Sequence, residues 1–231
     1  MKRKILHIGI FTYVFSMMWA IVTLGNTVSD NSLIPEQVSV EEVDVFHEDV
    51  QPEGATILDS GTWRTSNTAL QWSINSDGLL TISGTGGYGS DIDSLPLWYY
   101  SDARQNITSA KVNVTGIWST YGMFRGCYNL KTIDLSGLDI SKVVSMADMF
   151  SGCESLETVD LSGFNTSMVT DMSGLFSGCG FKQLPDMSSF DTSNVTNMSR
   201  MFASCSELET ANLSNLNTAK VTDISFMFDS C

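Results

Sequence analysis

The most reactive side chains in this chain are thiols, and their spacing decides what they can do. Cys127, Cys153, Cys179, Cys205 and Cys231 stand at equal intervals of 26 residues. Met123-Phe124, Met149-Phe150, Leu175-Phe176, Met201-Phe202 and Met227-Phe228 precede them at one fixed offset. Disulfide, metal and redox chemistry compete for such a set. Neighbouring strands of a stacked sheet lie about 4.8 Å apart, within the Cα separation a bridge needs, so geometry leaves disulfides open. The odd number argues against pairing. So does the setting, in which each cysteine follows an apolar pair and a small-residue turn such as Ser151-Gly152 or Ser177-Gly178. That environment suits a small buried hydrophobe, and the expectation is a ladder of buried thiols. Metal lacks both a C-x-x-C pair and a usable histidine, since the only histidines are His7 and His47, near the N-terminus. The residues call for no metal and no cofactor.

Carboxylates are the other group with chemistry to offer. At the same 26-residue interval fall Asp134, Asp160, Asp186 and Asn212, beside Ser136, Ser162, Ser188 and Ser214. Like charges about 5 Å apart repel, so such a column can favour a divalent cation or a basic partner. The simpler reading is short polar side chains left in water. Two carboxylates can also hydrolyse a glycoside, but these are spread over repeated positions with no insertion to build a cleft. Without a histidine in the repeats no triad forms either, so the chain does not read as an enzyme.

The elements that hold these residues follow from the period, because self-similarity at this interval is the signature of a solenoid. In the unit from Cys153 to Cys179, Leu156-x-x-Val159-x-Leu161 reads as a leucine-rich-repeat strand with Val159 and Leu161 inward and Asp160 and Ser162 outward. Asn165-Thr166-Ser167 supplies turn chemistry, and Val169, Met172 and Phe176 return to the next cysteine through a short extended piece and one helical turn. Val143, Val169, Val195 and Val221 form one column; Met146, Met172, Met198 and Ile224 form another. In one unit Lys182 and Pro185 replace the expected apolar residues, which predicts a broken or shifted strand with Phe181 and Leu184 restoring the burial. The fold class is thus a leucine-rich-repeat-like solenoid of 26-residue period over 122–231, β-rich with short helical turns. Asn-x-Ser/Thr triplets such as Asn165-Thr166-Ser167 and Asn194-Val195-Thr196 arise by repetition and are assigned no modification.

Ahead of the solenoid, 61–121 reads as a small β cap. Trp72-Ser73-Ile74 and Leu80-Thr81-Ile82 alternate about an Asp77-Gly78 turn, and Lys111–Thr115 reads as a further strand. Pro96-Leu97-Trp98-Tyr99-Tyr100 either covers the first apolar face of the solenoid or forms a sugar platform, and covering is the stronger demand. Residues 26–60 hold nine acidic residues and no lysine or arginine, the composition of a solvated linker. Residues 1–25 pair Lys2-Arg3-Lys4 with an apolar run, which reads as a secretion signal in preference to a membrane anchor. The formal net charge is −14, and about −17 without that segment, which makes nucleic acid a poor partner.

The run from Asp160 to Cys179, D-L-S-G-F-N-T-S-M-V-T-D-M-S-G-L-F-S-G-C, together with W-S-I-N-S-D-G-L-L-T-I-S-G-T-G from Trp72 to Gly86, resembles the BspA-like leucine-rich-repeat surface proteins of bacteria. The resemblance implies an extracellular adhesion or interaction protein, secreted or held at the cell surface, often attached to the cell wall, with no catalytic residues. Its ligand is expected to be an extracellular protein or glycoprotein, with membrane contact only through an uncleaved N-terminal segment. On that reading Asp134, Glu157, Asp160, Ser162, Asp186, Glu209 and Asn212 are the outward contact candidates. A passive spacer projecting another domain is the alternative. Cys231 falls within a unit, with no closing cap and no Leu-Pro-x-Thr-Gly tail, so the expectation is a piece of a longer reading frame.

Overall fold

A computed structural model describes residues 54–65, 68–86 and 95–231, all within the compact unit Val50–Cys231. The expected signal and most of the acidic linker lie outside the described residues. Among the described residues no helix is long and apolar enough to cross a membrane.

The protein is β-rich and built on an open sheet of five strands in sequence order: β1 (Ile57–Thr65), β2 (Thr68–Asn75), β3 (Leu79–Thr85), β4 (Ser109–Thr115) and β5 (Thr132–Leu138). β1–β2 and β2–β3 are antiparallel, while β3–β4 and β4–β5 are parallel. The β2–β3 hairpin and β4 fall where alternation predicts them. β1 starts at Ile57, so Ile57–Ser60, given to the linker by composition, are strand residues. The hairpin turn is fixed by Asn75, whose Oδ1 accepts the amides of Asp77 (3.0 Å) and Leu79 (2.9 Å). Gly78 has φ +79°, and a Cβ there would lie 2.4 Å from the Asn106 carbonyl oxygen, so only glycine fits.

Leu80 and Ile82 of β3, and Ala110, Val112 and Val114 of β4, face one buried side. Trp98 lies over that side, edge-on to Trp63 (5.6 Å) and tilted against Trp72 (6.2 Å). Its Nε1 donates to the Met123 carbonyl (2.8 Å), which joins the cap to the first repeat. Within the aromatic cluster Trp98 is thus buried against the sheet, while Tyr100 remains exposed.

Beyond β5 the structure departs from the leucine-rich-repeat strand expected at Leu156–Leu161. Val159 and Leu161 are buried and Asp160 and Ser162 exposed, as expected, but no strand forms there. There the side chain of Asp160 takes the Ser162 amide on its Oδ1 (3.0 Å), a bond that competes with a ladder for that donor. Even in β5 the same contact, Asp134 Oδ1 to the Ser136 amide (3.0 Å), coincides with a bulge in the pairing with β4. The unit holding Pro185 lacks the strand, as expected, and the preceding unit lacks it without a proline. Phe181 is nevertheless buried against Phe176 (5.6 Å), as its apolar character predicts.

Pairing between units occurs at another place. Parallel bridges join Ser119 to Ser145, Ser145 to Asp171, Asp171 to Asn197 and Asn197 to Asp223. Just beyond, the amides of Phe124, Phe150, Phe176 and Phe202 donate to the carbonyls of Met149, Leu175, Met201 and Met227 at 2.8–3.0 Å. The expected helical turn is absent, and no helix follows Asn106 among the described residues. Two consecutive turns stand there instead, each closed by a residue of positive φ, as at Gly174 (+61°) and Gly178 (+69°). A left-handed residue every fourth position prevents a helix from propagating.

Inside, Phe124, Phe150, Phe176, Phe202 and Phe228 stack with centroids 5.3–5.9 Å apart and planes within 16°. Buried Thr166 and Thr192 donate Oγ1 to the carbonyls of Asp191 and Asn217, each at 3.1 Å. Cys127, Cys153, Cys179 and Cys205 are free and buried; Cys231 is free and exposed. The thiols of Cys153, Cys179, Cys205 and Cys231 donate to the carbonyls of Phe124, Phe150, Phe176 and Phe202 at 3.0–3.2 Å.

Candidate binding surface

The outward carboxylates sit on turns that they close themselves. Except that Ser145 takes one place in the first interval, each 26-residue interval holds three Asx residues two positions before a small residue, as at Asp160-Ser162, Asn165-Ser167 and Asp171-Ser173. In every case the side-chain Oδ1 accepts the amide two residues on (3.0, 3.2 and 2.9 Å here). The same bond recurs at Asp134, Asp139, Asp186, Asp191, Asn197, Asn212, Asn217 and Asp223. The Ser119 hydroxyl does the equivalent for Tyr121.

These turns place the expected contact residues in two grooves. Asp134, Asp160 and Ser162 line one of about 490 Å³ with Leu135 and Phe164. Asp186 and Asn212 line another of about 220 Å³ with Gln183 and Pro185. Glu157 and Glu209 are exposed and line neither. Hydrogen bonds from the serine two residues on hold the carboxyls of Asp134, Asp160 and Asp186 below the usual aspartate range. Both grooves thus present fixed negative charge and poor proton donors. Glycoside hydrolysis needs one carboxyl raised toward neutrality, and these are shifted the other way. Among the described residues no three histidine, cysteine or acidic side chains come together to hold a metal ion.

A third groove, of about 480 Å³, was not signalled by these columns. It is lined by Arg125, Asp148, Gly174, Arg200 and Phe226 with serines around them. Arg125 Nη1 lies 2.7 Å from Asp148 Oδ2. Burial raises the Asp148 carboxyl, against the opposing pull of Arg125. The sequence does carry a signal for it. Gly122, Asp148, Gly174, Arg200 and Phe226 form a column of changing residue type in a chain whose neighbouring columns repeat.

The thiols have no comparable outlet. Burial pushes Cys127 up to about 12 and Cys153 and Cys179 well above the ordinary thiol range, so these sulfurs stay protonated and unreactive at neutral pH.

Turns closed by their own side chains, an open five-stranded sheet and stacked apolar columns define a β-rich protein of repeated units. The chain belongs to the family described as Mycoplasma protein of unknown function, DUF285, which it matches over residues 98–185 and 160–231. That membership agrees with the BspA-like resemblance carried by the repeats. A leucine-rich repeat protein from Eubacterium ventriosum is similar in structure at 22% identity and a TM-score of 0.31, with 68% of this chain and 45% of that one covered. A leucine rich cell surface protein from Faecalibacterium prausnitzii is similar at 16% identity and a TM-score of 0.28, covering 75% of this chain and 53% of that one. The chain thus spans about half the length of these two solved structures. No curated protein matches it significantly.

Proposed function

We propose that this is an exported, non-catalytic surface module, a solenoid of 26-residue units that presents its row of Asx turns to an extracellular protein or glycoprotein. The observation that carries this reading is the exposed row of low-pKa carboxylates gathered into two grooves by turns that hold them still. Bridges at constant 26-residue intervals support the solenoid, and the basic then apolar N-terminal segment supports export. Fixed negative charge favours a basic patch on the partner and disfavours nucleic acid. The passive spacer is the second reading. It is favoured by the same bonds, since each turn carboxylate already holds its own serine.

The test is binding of the purified chain to immobilised matrix glycoproteins and mucin at physiological salt, alongside a variant carrying Asp134→Asn, Asp160→Asn and Asp186→Asn. Asparagine keeps the turn, as Asn212 does in the same column (3.1 Å), and removes only the charge. Saturable binding lost in the variant is the expected result. A folded wild type that binds none of the panel sinks the adhesive reading and leaves the spacer.

A further inference from the structure

We propose that the groove between Asp148 and Arg200 binds a carboxylated sugar, with Arg200 pairing the ligand carboxylate, Asp148 accepting its hydroxyls and Phe226 lying against the ring face. The site is separate from the two grooves lined by Asp134, Asp160 and Asp186, and its failure leaves the reading of those grooves untouched.

Asp148, Gly174 and Arg200 succeed one another at intervals of 26 residues in one column. Gly174 has no side chain in the gap, and a Cβ there would fall 2.1 Å from Asp148 Oδ1, so the carboxylate leans over the position that glycine leaves clear. Its other oxygen is held by Arg125 (2.7 Å). That pair cancels in charge and leaves Arg200 as the net cation of the groove, on a chain of net charge −14. Arg200 lies over the Phe226 ring with its guanidinium carbon 5.4 Å from the centroid. Phe226 lines the groove beside it.

The charges select the ligand class. A bare carboxylate or phosphate uses Arg200 but offers no hydroxyl to Asp148 and no C–H face to Phe226. A neutral sugar uses Asp148 and Phe226 and leaves the guanidinium idle. A sugar that carries a carboxylate uses all three, through a forked guanidinium–carboxylate pair, hydroxyl-to-carboxylate hydrogen bonds and C–H contact with the ring. A volume of about 480 Å³ falls in the range of small-ligand sites.

The backbone provides an unusually clean control. Asp148, Arg200 and Phe226 all hold left-handed φ of 55–57°, a conformation that glycine adopts without penalty. Arg200→Gly therefore removes the cation without threatening the fold. The experiment is isothermal titration of the full chain, wild type and Arg200→Gly, with trigalacturonate, its carboxyl-reduced neutral counterpart and sialyllactose. Saturable binding of an acidic sugar is expected, with a loss of about tenfold or more for the neutral trisaccharide and for Arg200→Gly. Binding of trigalacturonate alone identifies an acidic polysaccharide as the source, and of sialyllactose alone a sialylated glycoprotein. No acidic-sugar binding up to about 10 mM overturns the proposal. So does binding that the neutral sugar or the glycine variant reproduces.

Discussion

Ser204 occupies a backbone position that glycine fills three times earlier. Gly126, Gly152 and Gly178 have φ of 69, 76 and 69°, and Ser204, one interval on, has 59°. A side chain in the left-handed region costs about 1–2 kcal/mol, partly offset by the larger entropy that glycine loses on folding. Ser204 is exposed and makes no contact that this change would remove through its side chain in the core. Ser204→Gly is therefore expected to stabilise the protein by about 1 kcal/mol, read as a higher urea midpoint at unchanged slope. A lower midpoint would show that the position is not strained. Residue types carry part of this information in advance. Asn165-Thr166-Ser167 is legible as a turn, and its recurrence at Asp160-Ser162 and Asp171-Ser173 was open to the same reading. Backbone φ was not legible, because glycine, aspartate, arginine and phenylalanine share one left-handed column and only glycine announces it.

At the scale of elements, the stack of phenylalanines does the work that a strand ladder was expected to do. Phe150 lies between Phe124 (5.6 Å, 10°) and Phe176 (5.7 Å, 5°) and is fully buried. Phe228 has one stacked neighbour, Phe202 at 5.3 Å, and is 40% exposed. Phe150→Ala is expected to cost about 3–5 kcal/mol, and Phe228→Ala less than half as much, in urea unfolding monitored by circular dichroism. Equal losses would mean that the stack does not depend on being closed from both sides. The strand expected at Leu156–Leu161 does not form. Period-two alternation reports which side chains face inward, and it did so correctly for Val159 and Leu161. It does not report which amides are free to pair: the Ser162 amide goes to Asp160, a bond that β5 tolerates between Asp134 and Ser136 at the cost of a bulge. The hairpin of β2 and β3 was legible because Asp77-Gly78 marks its turn between two alternating runs. β1 was missed because acidic composition up to Asp59 masked a strand whose Gly61 lies opposite Trp72. A Cβ at Gly61 would meet Trp72 Nε1 at 2.8 Å, so that pairing requires the glycine.

Over the whole molecule the turn carboxylates act together on pH stability. Asp134, Asp139, Asp160, Asp186, Asp191 and Asp223 all have carboxyls lowered by hydrogen bonds from the serine two residues on. A group depressed in the folded state contributes stability that is complete above its unfolded pKa, about 3.9 for aspartate, and lost as pH falls through the folded value. Two effects run the other way on mild acidification. The net charge of −14 at pH 7 shrinks, which relieves self-repulsion, and Asp148, raised by burial, gains its proton more readily folded than unfolded. The urea midpoint is therefore expected to hold or rise from pH 7 to about 5 and to fall steeply below about 4. Asn165, Asn197, Asn212 and Asn217 already make the same bond without titrating. Replacing Asp160, Asp186, Asp191 and Asp223 with asparagine should then leave the neutral midpoint unchanged or slightly higher and flatten the acid limb. If the variant unfolds in acid along the wild-type curve, the acid sensitivity resides outside the turns. The turns would then shape the surface without governing when the molecule opens.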